Sequence, residues 1–190
     1  MFVALNVDQI TTLNLDSQRI SKLINLNKLV NLRWASFNDN DISKVEGLDS
    51  CLKLEELSLN NNNNISTLNG RSRGPLDSEV EITYPSMQLP SLALCLSLLS
   101  FSSGLSKLHC LKKLSVDGNQ LSTLDASVLD QLPNLSFLSV ENNRISSLHG
   151  IHRARSLLEL YIGNNHISTS RDIYYLKASG RKEGFAGVRV

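Results

Sequence analysis

Four histidines and three cysteines are the residues of this 190-residue chain best suited to chemistry. His149 and His152 stand close together and offer two imidazoles to a metal. No third ligand follows at the spacing that zinc sites use. His109 and His166 fall at variable positions of a repeat set out below. Cys51, Cys95 and Cys110 form no CxxC pair, and an odd count with no secretion signal fits a reducing compartment. Cys51 occupies a leucine position and is expected in the core rather than as a nucleophile. Cys110 is expected to be partly exposed, but no acid–base partner is identifiable for it. No GxSxG or P-loop pattern occurs. The expectation is a non-catalytic protein, not an enzyme, with no cofactor and no metal.

The formal charge of +1 gives no global bias toward nucleic acid or membrane. Arg71, Arg73, Arg153, Arg155, Arg181 and Lys182 are scattered and form no stripe with interleaved aromatics, so nucleic acid is the least favoured partner. The opening MFVALNVDQ lacks a basic region and a long apolar core, so no signal peptide is expected. The most apolar stretch, Leu89 to Phe101, is interrupted by Pro90 and is shorter than the ~18 residues a spanning helix needs. A soluble, cytoplasmic chain is expected, with nuclear or ciliary placement left open. Asn64-Ile65-Ser66 and Asn134-Leu135-Ser136 match the glycosylation pattern, but without secretion they are read as chance matches.

The elements that would carry any site come from an internal repeat. The frame LxxLxxLxLxxNxI fits Val7, Ile10, Leu13, Leu15, Gln18, Ile20, and again Leu29, Leu32, Ala35, Phe37, Asn40, Ile42. It returns at Cys51, Leu54, Leu57, Leu59, Asn62, with Ile65 one place late. Three more copies are centred on Leu114, Leu138 and Leu160, with Asn119, Asn143 and Asn165 at the polar position. That position steps evenly from Gln18 to Asn40 to Asn62, and at nearly the same interval from Asn119 to Asn143 to Asn165. The alternating LxL pair points both apolar side chains to one face of a short strand. A single repeat cannot bury that face alone, whereas stacking makes one continuous core. The column Gln18, Asn40, Asn62, Asn119, Asn143, Asn165 is expected to satisfy backbone groups where the chain turns, because an amide both donates and accepts.

Phrases such as LSFLSVENNRISSLHG (Leu135 to Gly150) resemble the leucine-rich repeat family. The likeness is to its 22-residue subfamily, typified by the regulatory subunit of protein phosphatase 1, and it covers nearly all of Val7 to Leu176 outside one interruption. It implies an α/β fold: a right-handed, horseshoe-shaped solenoid with a parallel concave sheet and a convex side of 3₁₀ turns or loops. It also implies partner binding on the concave face, with a phosphatase catalytic subunit as one candidate.

The interruption lies between Asn62 and Asn119, where the polar position is delayed by more than a full period. Joining Gly70 to Leu105 restores a normal repeat, ISTLNG-LSKLHCLKKLSV, so residues 71–104 read as an insertion. A second reading makes it a degenerate repeat, with Leu89, Leu92, Leu94 and Leu99 in frame and Ser97 at the polar position. A third makes it a retained intron, as the pyrimidine-codon run LCLSLLSFSS suggests. The expected organisation is repeats 1–3 in residues 1–70, the irregular insertion in 71–104, repeats 4–6 and the start of a seventh in 105–177, and a disordered tail in 178–190. Neither end encodes a visible polar cap, so the chain is expected to be a piece of a longer array.

Side chains beside the core leucines should face the concave surface. They read Thr12, Trp34, Glu56, Lys113, Phe137, Glu159 before each LxL; Asn14, Ser36, Ser58, Ser115, Ser139, Tyr161 in its middle; and Asp16, Asn38, Asn60, Asp117, Glu141, Gly163 after it. Aromatic groups among polar neighbours are the usual composition of a protein-binding surface. The expected contacts are Trp34, Asn38, Glu56, Lys113, Asp117, Phe137, Glu141, Glu159 and Tyr161. The acidic members favour a partner with a basic surface.

Overall fold

The structure is a computed structural model, which describes residues 7–62, 65–68, 104–169, 172–177 and 187–189. Each LxL becomes a short strand: β1 (Thr12–Asn14), β2 (Trp34–Ser36), β3 (Glu56–Ser58), β4 (Lys113–Ser115), β5 (Phe137–Ser139) and β6 (Glu159–Tyr161). A seventh strand, β7 (Gly187–Arg189), follows. All seven pair in parallel and in sequence order. The central apolar residues stand opposite one another in register: Leu13, Ala35, Leu57, Leu114, Leu138 and Leu160.

The core runs behind this sheet. Leu32, Phe37, Leu54, Leu59, Leu111, Val116, Leu135 and Val140 are fully buried, as is Cys51 in its leucine place. Burial of each such side chain contributes about 1.5–3 kcal/mol, and stacking is what makes it available to so short a unit. The first repeat is less enclosed: Ile10, Leu13, Leu15 and Ile20 are only partly buried.

The asparagine column closes every turn. Asn143 Nδ2 donates to Val140 O and Glu141 O of its own repeat and to Val116 O of the preceding one, while its Oδ1 accepts from Leu121 N. Asn40, Asn62 and Asn165 repeat the pattern. One side chain thus fastens two repeats in a place water cannot serve. Gln18, in the first repeat, is exposed, and among the described residues its amide donates to Asp16 O of its own turn, the same carbonyl two residues back that Asn40 reaches in its repeat.

The residue before each member of the column has a left-handed backbone: Ser17, Asp39, Asn61, Gly118, Asn142 and Asn164 have φ between 54° and 65°. All but Ser17 are Asn, Asp or Gly, the types that tolerate it. Gly47 and Gly150 serve close approach instead. A Cβ on them would lie 2.0 Å from Leu23 O and 1.9 Å from Leu124 O of the preceding repeat.

The convex side contains 3₁₀ turns at Leu26–Lys28 and His149–Arg153, as expected. Two α-helices depart from that expectation. Ala126–Asp130 forms in the slightly longer repeat between Asn119 and Asn143. It is capped by Asp125, whose carboxylate accepts from Ser127 N at 2.9 Å. Asp172–Lys177 forms in the seventh repeat. Its buried Asp172 carboxylate accepts from Leu148 N, Ser147 Oγ and Thr169 Oγ1. Those donors hold its carboxyl below the ordinary aspartate value, the Thr169 hydroxyl most of all.

Two expectations about chain organisation meet these residues. The tail 178–190 is expected from sequence to be without structure, but Glu159, Leu160 and Tyr161 pair with Gly187, Val188 and Arg189. Parallel pairing needs backbone only, so the missing leucine frame does not forbid the strand. The insertion of residues 71–104 lies outside the described residues except for Gly104. On either side of it, β3 and β4 pair directly: Glu56 with Lys113, Leu57 with Leu114, Ser58 with Ser115.

Candidate protein-interaction face

The outward side of the sheet has three columns of side chains. Those of β2 to β6 that precede the LxL apolar pair stand in one row, in the register Trp34, Glu56, Lys113, Phe137, Glu159. With strands about 4.8 Å apart, Trp34 lies about 14 Å from Phe137 along the sheet. Between them Lys113 Nζ and Glu56 Oε1 form an ion pair at 2.8 Å. That hydrogen bond and charge hold the Lys113 ammonium above the ordinary lysine value, and Glu159 adds to the effect. Phe137 and Tyr161 pack together, with ring centroids 5.3 Å apart and planes tilted by 38°. The Tyr161 hydroxyl reaches Glu159 Oε2 at 3.4 Å.

The other two columns are joined in a second hydrogen-bonded rail. Asp16 Oδ1 accepts from Ser36 Oγ at 2.6 Å and Asn38 N at 2.7 Å. Asn38 Oδ1 accepts in the same way from Ser58 Oγ and Asn60 N, Asn60 Oδ1 from Ser115 Oγ and Asp117 N, and Asp117 Oδ1 from Ser139 Oγ and Glu141 N. The expected contact residues Asn38 and Asp117 are therefore half-buried members of this rail. They hold serines in place. The rail stops at Glu141 and Tyr161, where a longer acid and an aromatic replace the short pair. Sequence reasoning missed it, although its signal was present: Ser36, Ser58, Ser115 and Ser139 each follow an Asp or Asn one repeat earlier.

A third polar row edges the sheet. Glu55 receives Arg33 at 2.9 Å and Lys112 at 2.6 Å, and the Lys112 hydrogen bond and charge hold its carboxyl below the ordinary glutamate value. Arg33 and Lys112 are exposed while Glu55 is half-buried, and pairs of this kind contribute little to stability.

The residues singled out for chemistry lie apart from this face. His149, His152 and Tyr175 cluster on the convex side, with His149 5.2 Å from Tyr175 and 5.4 Å from His152 between ring centroids. His152 Nδ1 pairs with the His149 carbonyl. No group of three or more His, Cys, Asp or Glu is placed to hold a metal among the described residues. Cys110 is exposed and Cys51 buried, where desolvation, and then Asp49, push its thiol up. Cys95 lies outside the described residues. No helix among them is long and apolar enough to cross a membrane.

Residues 109–167 match the family model described as Leucine rich repeat, which supports the leucine-rich repeat family. The fold is a leucine-rich-repeat solenoid. Among curated proteins, the chain is similar to cilia- and flagella-associated protein 410 of Homo sapiens, with 34% identity over 76 residues. That match covers 40% of this chain and 29% of the relative. The Mus musculus protein of the same name is 35% identical over 72 residues, covering 38% and 28%. The chain thus matches less than a third of the length of these relatives. Among solved structures, an internalin C2 of Listeria monocytogenes has a TM-score of 0.63 at 20% identity, covering 90% of this chain and 59% of that one. A TLR13–ssRNA13 complex has a TM-score of 0.55 at 24% identity, covering 82% and 18%. These structures share the leucine-rich-repeat fold.

Proposed function

We propose that this leucine-rich-repeat solenoid is a non-catalytic scaffold that binds a protein partner on its concave face. The carrying observation is the row Trp34, Glu56, Lys113, Phe137, Glu159 together with Tyr161, mounted on a floor whose serine hydroxyls already donate to the rail. Of the expected contacts, Trp34, Phe137 and Tyr161 supply the apolar area, and Glu56, Glu141 and Glu159 steer a basic partner. Lys113 acts through its pair with Glu56. Asn38 and Asp117 stiffen the surface through the rail. The ciliary name of the curated relatives supports a ciliary setting over a purely cytoplasmic one. The 22-residue phrase makes a phosphatase catalytic subunit the first candidate partner to assay, and the scattered arginines disfavour an RNA-associated adaptor.

The chain is read as a segment of a longer array. Its phrase Asn164 to Lys177 resembles leucine-rich repeat-containing protein 9, a longer repeat protein. Residues 71–104 are read as a loop inserted between repeats 3 and 4. The direct pairing of β3 with β4 supports this over an added repeat, which would bring its own strand between them.

The test is crosslinking with mass spectrometry in a ciliated-cell extract, comparing the native chain with Trp34→Ala and Tyr161→Ala. The expected result is partner crosslinks at the concave row, lost in both variants, with urea midpoints within about 1 kcal/mol of native stability. Crosslinks unchanged in both folded variants would remove the concave-face reading.

A further inference from the structure

The geometry points to the kind of partner that this face accepts: a basic, amphipathic α-helix lying along the sheet, across the strands. This inference rests on the concave-face reading above. Three observations carry it.

The first is shape. Each strand contributes three residues, so the sheet is a ribbon about 10 Å wide at about 3.3 Å per residue. That matches the roughly 10–12 Å diameter of a helix with its side chains. Small serines (Ser36, Ser58, Ser115, Ser139) floor the ribbon from β2 to β5, the row from Trp34 to Phe137 rises along one flank, and Tyr161 interrupts the serine floor at β6.

The second is hydrogen bonding. The hydroxyls of all four serines already donate to the rail. An extended peptide laid on this floor would find its carbonyls facing no free hydroxyl proton, and unpaired buried carbonyls are costly. A helix satisfies its own backbone and presents side chains alone.

The third is the spacing and sign of the contacts. From Trp34 on β2 the distance is about 14 Å to Phe137 and about 19 Å to Tyr161, at about 4.8 Å per strand. A helix advances about 1.5 Å per residue, so an apolar residue about eleven positions after the first lies about 16.5 Å on, over the Phe137–Tyr161 pair, and on the same side of the helix. The outward columns of β1 to β6 carry five carboxylates, Asp16, Glu56, Asp117, Glu141 and Glu159, against the one ammonium of Lys113, and Arg189 of β7, in register with Tyr161, adds one further cation at that end. Lys113 is itself held by Glu56 at 2.8 Å. Lysine or arginine flanking the two apolar anchors completes the match.

Trp34 is the chain's one tryptophan, so its fluorescence reports occupancy directly. The probes are three synthetic lysine- and alanine-rich peptides of equal composition and about 18 residues. One places two phenylalanines about eleven residues apart, on one side of the helix. In the second the spacing is shortened by about two residues, which puts them on opposite sides. The third keeps the first spacing but replaces its central alanines with D-alanine to break the helix. The expected result is that the first peptide shifts Trp34 emission and binds roughly tenfold or more tighter than the other two. Its affinity should fall with salt and fall about tenfold in Phe137→Ala or Tyr161→Ala, read by anisotropy of a labelled peptide. Equal binding of all three peptides, or no binding of the first, would overturn the helix. If the peptides fail while Trp34→Ala and Tyr161→Ala still abolish the partner crosslinks, only the helix falls. If the crosslinks also persist in both variants, the concave-face reading falls with it.

Discussion

The junction between β3 and β4 and that between β4 and β5 have the same backbone register, although the chain from Asn62 to Asn119 is more than twice as long as that from Asn119 to Asn143. Leu59 N donates to Ser115 O at the first junction, and Val116 N donates to Ser139 O at the second, both at 2.9 Å. The rail also crosses both. The difference lies in the asparagine column. Asn143 Oδ1 accepts from Leu121 N, whereas Asn119 Oδ1, in a residue only 6% exposed, has no donor among the described residues. Repeat 3 carries an extra residue after Asn62, which moves Ile65 one place late. Pairing of strands thus tolerates a long detour in the chain, while the turn chemistry registers a single addition.

The largest expected effect contrasts close approach at the two junctions. Gly150→Ala should cost about 3 kcal/mol or more, because its Cβ would sit 1.9 Å from the Leu124 carbonyl and only a backbone shift can relieve it. Gly118→Ala meets the Asn61 side chain, at 2.3 Å, which can rotate away. Its cost should stay near about 1–2 kcal/mol, that of a left-handed alanine. Urea midpoints of the two variants measure the contrast, and equal losses would show that the β3–β4 junction is as rigid as its neighbour.

Next comes the amide column. Asn143→Ala should destabilise by about 3 kcal/mol and Asn119→Ala by about 1 kcal/mol less, since the latter has one fewer bond to lose. Thermal melts of both variants decide this. A larger loss for Asn119 would mean that its Oδ1 has a partner after all.

Excision of residues 71–104 should leave the fold intact and raise stability by about 1 kcal/mol through a shorter loop closure. A chain that no longer unfolds cooperatively after the excision would sink the insertion reading.

The smallest effect concerns acid. Asp172 titrates below the ordinary aspartate value when folded. Its contribution is complete above about pH 3.9, the unfolded value, and is lost as pH falls through the lower folded one. Asp172→Asn should therefore flatten the fall in stability below about pH 4. An unchanged acid limb would remove Asp172 as its source.

Most of the fold was legible because a repeat states its rule several times. Leu57, Leu114 and Leu138 each occur in the same phrase, so strand, face and neighbour follow from the alternation within a strand and the recurrence between repeats. The outward row was legible for the same reason: Trp34, Phe137 and Tyr161 stand in outward places of that phrase. What escaped was pairing between repeats. That Asn38 accepts from Ser58, or Asp117 from Ser139, is a relation between side chains a whole turn of the solenoid apart, and it becomes visible only when strands lie side by side. The helix at Ala126–Asp130 escaped because a slightly lengthened repeat can absorb its extra chain in several ways, and a capping Asp125 selects one of them locally.

By itself, the sequence determined the solenoid, the strand register and the apolar identity of the core, because so short a repeat leaves an LxL strand nowhere to bury its leucines except against the next copy. Only the tertiary structure decided which polar side chains of the sheet's outward side are bound to one another. Asp16, Asn38, Asn60 and Asp117 look in sequence like Glu141, yet four are bound into a rail and the fifth is where that rail ends. A hydrogen bond between repeats depends on small separations across the sheet, and position along the chain does not encode those.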